Sequence, residues 1–185
     1  MQSSFIRTTF MVLGLVVAFA FVPFISGLLP DVAAQPVLSP GDSVTGHVEF
    51  QNAANNFDRY SLSAIRHRDG SVSGEVEEHV ESPEGAFVRS AHGTIICFSI
   101  SANTARISGI VDHITVAAGT PPTPGTPFVL TVVDNGQGNS DLPDLATTPA
   151  TPSTIDLALG HCSTTPINRP LFPVIRGNIQ VRSGS

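Results

Sequence analysis

Segment after segment of this chain alternates apolar and polar residues with a period of two, and short turn-forming runs separate the segments. That period puts one set of side chains on a buried face and the other on a solvated face, which is the pattern of a half-buried β-strand. In DSVTGHVEF, Val44, Gly46, Val48 and Phe50 fall on one face and Thr45, His47 and Glu49 on the other. NFDRYSLSAIRH carries Tyr60, Leu62 and Ala64 on one face. RDGSVSGEVEEHVE follows an Asp69-Gly70 turn, whose glycine tolerates positive φ. AFVRSAHGTIICFSIS is long, and Gly93 marks a bulge or bend within it. NTARISGIVDHITV, beyond a short turn at Ala102-Asn103, reads as its partner. TPFVLTVVD, STIDLALG and GNIQVRS bring the total to about eight strands. Helix signals are almost absent here. Short connections between successive strands predict an antiparallel meander, so the expected fold is all-β, a single β-barrel or β-sandwich. A barrel would remove the exposed edges that a sheet must otherwise protect. Two Pro-rich segments, 117–127 and 140–153, are expected to be extended surface loops.

The start of the chain has a different character. Arg7 is the only charge before the apolar run from Phe10 to Leu29, and Val32-Ala33-Ala34 supplies small residues before Gln35. A basic start, an apolar middle and a small-residue site are the order of a secretory signal, here a signal helix over 1–34 with cleavage after Ala34. An uncleaved anchor is the alternative, because the run approaches membrane-spanning length. Residues 35–185 are then one exported domain, large enough to bury a core. The net charge is −6 and every basic residue is Arg. An acidic surface argues against nucleic acid as a partner, since phosphates need a basic footprint. No basic amphipathic segment suits a membrane surface.

The two cysteines, Cys97 and Cys162, are an even count in an exported chain and read as a disulfide. The competing reading is a nucleophilic Cys162 with His161 as its base. On a strand, adjacent side chains point to opposite faces, which places that histidine poorly.

RDGSVSGEVE (68–77), HGTIICFSISANTARISGIV (92–111), TVVDNGQGNSDLPD (131–144), HC (161–162) and PLFPVIRGNIQVR (170–182) occur together in this order. The set resembles a group of exported bacterial proteins of unassigned function, with a V-D-N-G-x-G turn and a C-terminal G-N-I-Q-V. That group is similar in turn to the small β-domain called post-COAP-1, found in some bacterial surface proteins. The resemblance implies an exported β-domain in which Cys97 and Cys162 belong to the pattern. It implies no reaction, cofactor or substrate.

Three constellations could carry chemistry. The first is DNGQGNSDLPD, in which Asp134, Asp141 and Asp144 are candidate calcium ligands. The alternate positions after Asp134 are Gly136 and Gly138, which offer no side-chain oxygen, and no Glu closes the loop. The preferred reading is mechanical: Asn135-Gly136 turns the chain, and Asp141 or Asp144 accepts backbone N–H groups. The second is EVEEHVE, where Glu75, Glu77, His79 and Glu81 share one strand face, opposite Val76, Glu78 and Val80. Carboxylates and imidazole suit a divalent metal, but spacing along one strand is too wide for a single ion unless a neighbouring strand contributes. The third is Asp112, His113, His47, His92 and Ser99, the residue types of a hydrolytic triad without a nucleophile elbow. Low aromatic content and the lack of Trp argue against a sugar-stacking groove.

The expectation is a non-catalytic structural or binding module at the cell surface or outside, with no catalytic residue and no cofactor. The alternatives are a metal-dependent or carboxylate-based hydrolase, and a carrier holding a small ligand in a barrel cavity.

Overall fold

A computed structural model of the chain describes residues 41–136 and 142–184. The expected signal segment 1–34 and Asp141 lie outside the described residues. The elements run β1 (Ser43–Gln51), β2 (Phe57–Arg66), β3 (Val72–Glu81), β4 (Phe87–Ser101), β5 (Thr104–Val116), β6 (Pro127–Val133), β7 (Leu145–Ala146), α1 (Ile155–Cys162), β8 (Phe172–Pro173) and β9 (Arg176–Arg182). All nine strands join one antiparallel sheet in the order β8-β7-β6-β5-β4-β3-β2-β1-β9. A single sheet curled into a half-barrel bears out the all-β, antiparallel expectation.

The alternation sets the faces. Val44, Val48 and Phe50 of β1, Tyr60, Leu62 and Ala64 of β2, and Val76 and Val80 of β3 are buried on the concave side. Phe50 lies edge-on to Tyr60 and stacks on Phe172, with ring centroids 5.8 and 5.7 Å apart. Each such ring buries much apolar area and adds a specific contact. Gly93 does coincide with a register shift, and further shifts fall at Val80/Glu81 and between Ile95 and Cys97. Gly93 and Gly109 make room for the Phe128 ring, because a Cβ at either position would overlap it.

The two edges of the sheet, β8 and β9, are consecutive in the chain and separated only by Val174 and Ile175. The chain therefore passes from one edge of the curl to the other. The remaining seam is bridged by two carboxylates. Asp144 Oδ2 accepts the Ile179 N–H at 2.8 Å, and Asp134 Oδ2 accepts the Val181 N–H at 2.9 Å. Edge N–H groups that a neighbouring strand would normally satisfy are satisfied by side chains instead.

One expected strand is a helix. STIDLALG forms the N-terminal part of α1. Thr154 is its N-cap, with Oγ1 accepting the Leu157 N–H at 3.3 Å, and Asp156 complements the positive end of the helix dipole. Ala158 and His161, three residues apart, are buried, whereas Ile155, Leu157 and Leu159 stay about two-fifths exposed. The apparent period of two there was coincidental. Within the second Pro-rich segment, residues 145–146 pair as β7 and Ala150 bridges Val129.

The disulfide is formed between Cys97 and Cys162, with Cα atoms 6.2 Å apart. It ties the end of α1 to the outer face of β4, and no cysteine is free among the described residues. Ser108, beside Cys97 on β5, donates to the Ala158 carbonyl at 2.5 Å. His161 is held neutral: Nδ1 accepts the Ile167 N–H at 3.0 Å and Nε2 donates to the Leu130 carbonyl at 3.1 Å. Burial lowers its pKa further. It is a packing residue under the helix, not the base of a cysteine nucleophile.

Candidate functional site

The strand faces separate the polar residues into an inner and an outer group. The inner group consists of Asp58 on β2, Glu78 on β3 and Arg89 on β4. Glu78 was visible in the sequence as a charge on the same face as Val76 and Val80. Its partner is Arg89, whose Nε and NH2 reach Glu78 Oε2 and Oε1 at 2.9 and 2.7 Å. This two-pronged geometry is the strongest arrangement for an Arg–carboxylate pair. Asp58 is fully buried, and neither of its oxygens nor the Tyr60 hydroxyl meets a partner in hydrogen-bonding geometry. Burial, followed by the negative charge of Glu78, pushes the Asp58 carboxyl up to about 8. At neutral pH Asp58 is thus a neutral acid, and the three side chains together carry no net charge.

Above this group lies a half-open cavity of about 410 Å³. Its walls include Val76, Val111, Ile114, Val116 and Phe128, and Glu78 and Arg89 form part of its lining. The volume falls in the range of small-molecule sites, and an apolar wall with a few fixed polar groups is their usual chemistry. Both Pro-rich loops contribute to it, through Pro122 and through Pro149 to Thr151, and Arg169 completes it. The β1–β2, β3–β4 and β5–β6 connections lie at this end of the sheet, because successive antiparallel strands alternate direction. At the other end Arg66 lies over the Phe98 ring, 5.0 Å from its centroid, and donates to the Phe98 carbonyl.

The outer group is a band of histidines and acids. His47, Ser61, Glu77, His92 and His113 stand opposite one another across β1 to β5. His92 lies between Asp112 at 3.1 Å and Glu75 at 3.5 Å. His79 lies 3.2 Å from Glu81, which also pairs with Arg59 at 2.7 Å. Neighbouring strands therefore do add partners to the Glu75, Glu77, His79 row. Even so, among the described residues no group of three or more His, Cys, Asp or Glu side chains is placed to hold a metal ion.

The triad candidates are spread over the same outer face. Asp112 meets His92, while Ser99 is seven residues farther along β4, about 20 Å away at strand spacing. His47 hydrogen-bonds Ser61 at 2.8 Å. His113 lies 3.3 Å from the Thr115 hydroxyl.

In the DNGQGNSDLPD stretch Asp134 and Asp144 are engaged with backbone. Asp134 Oδ1 accepts the Gly136 N–H at 2.8 Å and Asp144 Oδ1 the Asn135 N–H at 2.8 Å, in addition to the two β9 amides. Gly136 takes φ +92°, as its turn requires. Asp134 and Asp144 thus act as a clasp on the last strand.

Sequence reading missed the cavity because its lining comes from four strands and three loops. Its one visible signal was the pair of acids, Asp58 and Glu78, on otherwise apolar strand faces. No family model, no curated protein and no solved structure matches this chain.

Proposed function

We propose that this chain is an exported, disulfide-stapled β-domain that binds a small, mainly apolar ligand in the open end of its curled sheet. The observation that carries the reading is the 410 Å³ cavity with apolar walls around a charge-balanced Glu78–Arg89 pair. Binding is favoured over hydrolysis because Glu78, the one carboxylate of the lining, is taken up by both prongs of Arg89, and the lining sets no Ser or Cys nucleophile beside its His92. A general base, a nucleophile and an orienting group would have to converge on one side. Export is supported by the signal-like start of the sequence, by the Cys97–Cys162 bridge and by the resemblance to exported β-domains. Among the described residues no helix is long and apolar enough to cross a membrane.

Two measurements test this. The intact mass of the unreduced protein recovered from outside the cytoplasm should start at Gln35 and lack two hydrogens. The neutral fluorophore N-phenyl-1-naphthylamine should brighten on titration with the protein, saturating at one per chain. Ala91→Phe and Thr151→Phe, which fill the cavity from a strand and from a loop, should abolish that signal while leaving the far-UV circular dichroism unchanged. Equal brightening with both folded variants would show that the dye sits elsewhere and would remove the proposal.

A further inference from the structure

We infer that the ligand is an amphipathic anion, a carboxylate with an apolar body, bound apolar end first with its charge left at Arg169. This deepens the small-ligand reading and rests on it. Three observations carry it. The inner charges cancel, since Glu78 takes both prongs of Arg89 and Asp58 is neutral at physiological pH. A ligand charge carried to the floor would therefore find no counter-charge and would lose its hydration. The walls between floor and mouth are mostly aliphatic and aromatic, with His92 and Thr151 as their polar members. Arg169, at the mouth, is an exposed guanidinium with no ion pair or side-chain hydrogen bond among the described residues. It is the uncompensated charge of the lining, on a protein whose net charge is −6 and which otherwise repels anions.

The geometry therefore selects orientation as well as class. An apolar tail gains by leaving water against Val111, Ile114 and Phe128, and a terminal carboxylate meets a planar fork of N–H donors suited to it. The size is bounded too. A cavity of about 410 Å³ corresponds to roughly fourteen water volumes, and because bonded atoms pack more closely than separate waters it admits a ligand of roughly ten to twenty non-hydrogen atoms.

The test displaces N-phenyl-1-naphthylamine from the disulfide-intact protein with three ligands that share a tail: octanoate, octanol and octylammonium. Octanoate should compete at the lowest concentration and octylammonium at the highest. In Arg169→Gln the advantage of octanoate over octanol should shrink by roughly five-fold, the upper end for a pair open to solvent, with octanol unchanged. Arg169→Lys should restore most of it. Equal competition by octanoate and octanol in the wild type would overturn the anion assignment while leaving the small-ligand reading intact. So would an octanoate advantage that survives Arg169→Gln. A wild-type protein that does not bind the fluorophore at all would remove both.

Discussion

Asp58 makes the energetics of the interior measurable. Its carboxyl is buried and rises from 3.8 to about 8, chiefly through loss of hydration and then through the charge of Glu78. Between those two values the folded chain holds a proton that the unfolded chain releases. The contribution of Asp58 to stability is therefore fully present below pH 3.8, falls as pH rises, and is lost by about pH 8. Each pH unit in that window corresponds to about 1.4 kcal/mol, so at pH 7 keeping Asp58 protonated costs on the order of 4 kcal/mol. Asp58→Asn keeps the shape and does not titrate. Urea unfolding of both proteins from pH 4 to pH 8 should show the variant gaining on the wild type steadily, by a few kcal/mol across the window. The comparison cancels the histidines and every other group that titrates in both chains. A third protein separates the causes. In Glu78→Gln the neighbouring negative charge is gone and Arg89 is left to face Asp58, so the pH dependence contributed by Asp58 should flatten. A difference between Asp58→Asn and wild type that stays constant with pH would refute the buried neutral acid, and with it the charge balance of the cavity floor.

Other perturbations probe the frame around the site. Removing the disulfide with Cys97→Ser and Cys162→Ser frees a loop of 65 residues and should cost about 4 kcal/mol in chain-entropy terms, read as a lower melting temperature; an unchanged melt would mean that α1 stays docked without its tether. Gly109→Ala forces a methyl into the Phe128 ring and the Thr94 carbonyl, so chemical denaturation should show a loss of about 1–3 kcal/mol. Asp144→Ala leaves the Asn135 and buried Ile179 N–H groups without their acceptor, at about 1–3 kcal/mol for each group left buried and unpaired. Amide exchange at Ile179 should quicken in that variant and be partly restored by Asp144→Asn, which retains one acceptor oxygen.

The difference between what the sequence disclosed and what it hid follows from the range of the forces involved. Alternation is local, so the faces of β1, β2 and β3 could be read directly, down to the outward row of Glu75, Glu77 and His79. The turn chemistry of Asn135-Gly136 and the backbone-accepting role of Asp144 were local too, although the strand that Asp144 clasps, β9, lies 35 residues away. The helix over 155–162 was hidden because Ile155, Leu157 and Leu159 imitate a strand. What decides in favour of the helix is a cap at Thr154, a buried Ala158 and His161 on its inner side, and a covalent bond to β4. Only the first of these is a local signal. The cavity is the extreme case. A charge on an apolar strand face must find a counter-charge, because leaving it buried and unpaired costs more than most single interactions return. Glu78 on the Val76/Val80 face thus announced a cationic partner. That the partner is Arg89 depends on the register of β3 with β4, and the shape of the wall depends on the shifts at Val80/Glu81 and His92/Gly93. A one-residue change in that register would turn Arg89 outward and leave Glu78 stranded. The two bulges and the Glu78–Arg89 pair therefore specify one another: the ion pair penalises every other register, and the register places the guanidinium where a ligand finds it already neutralised.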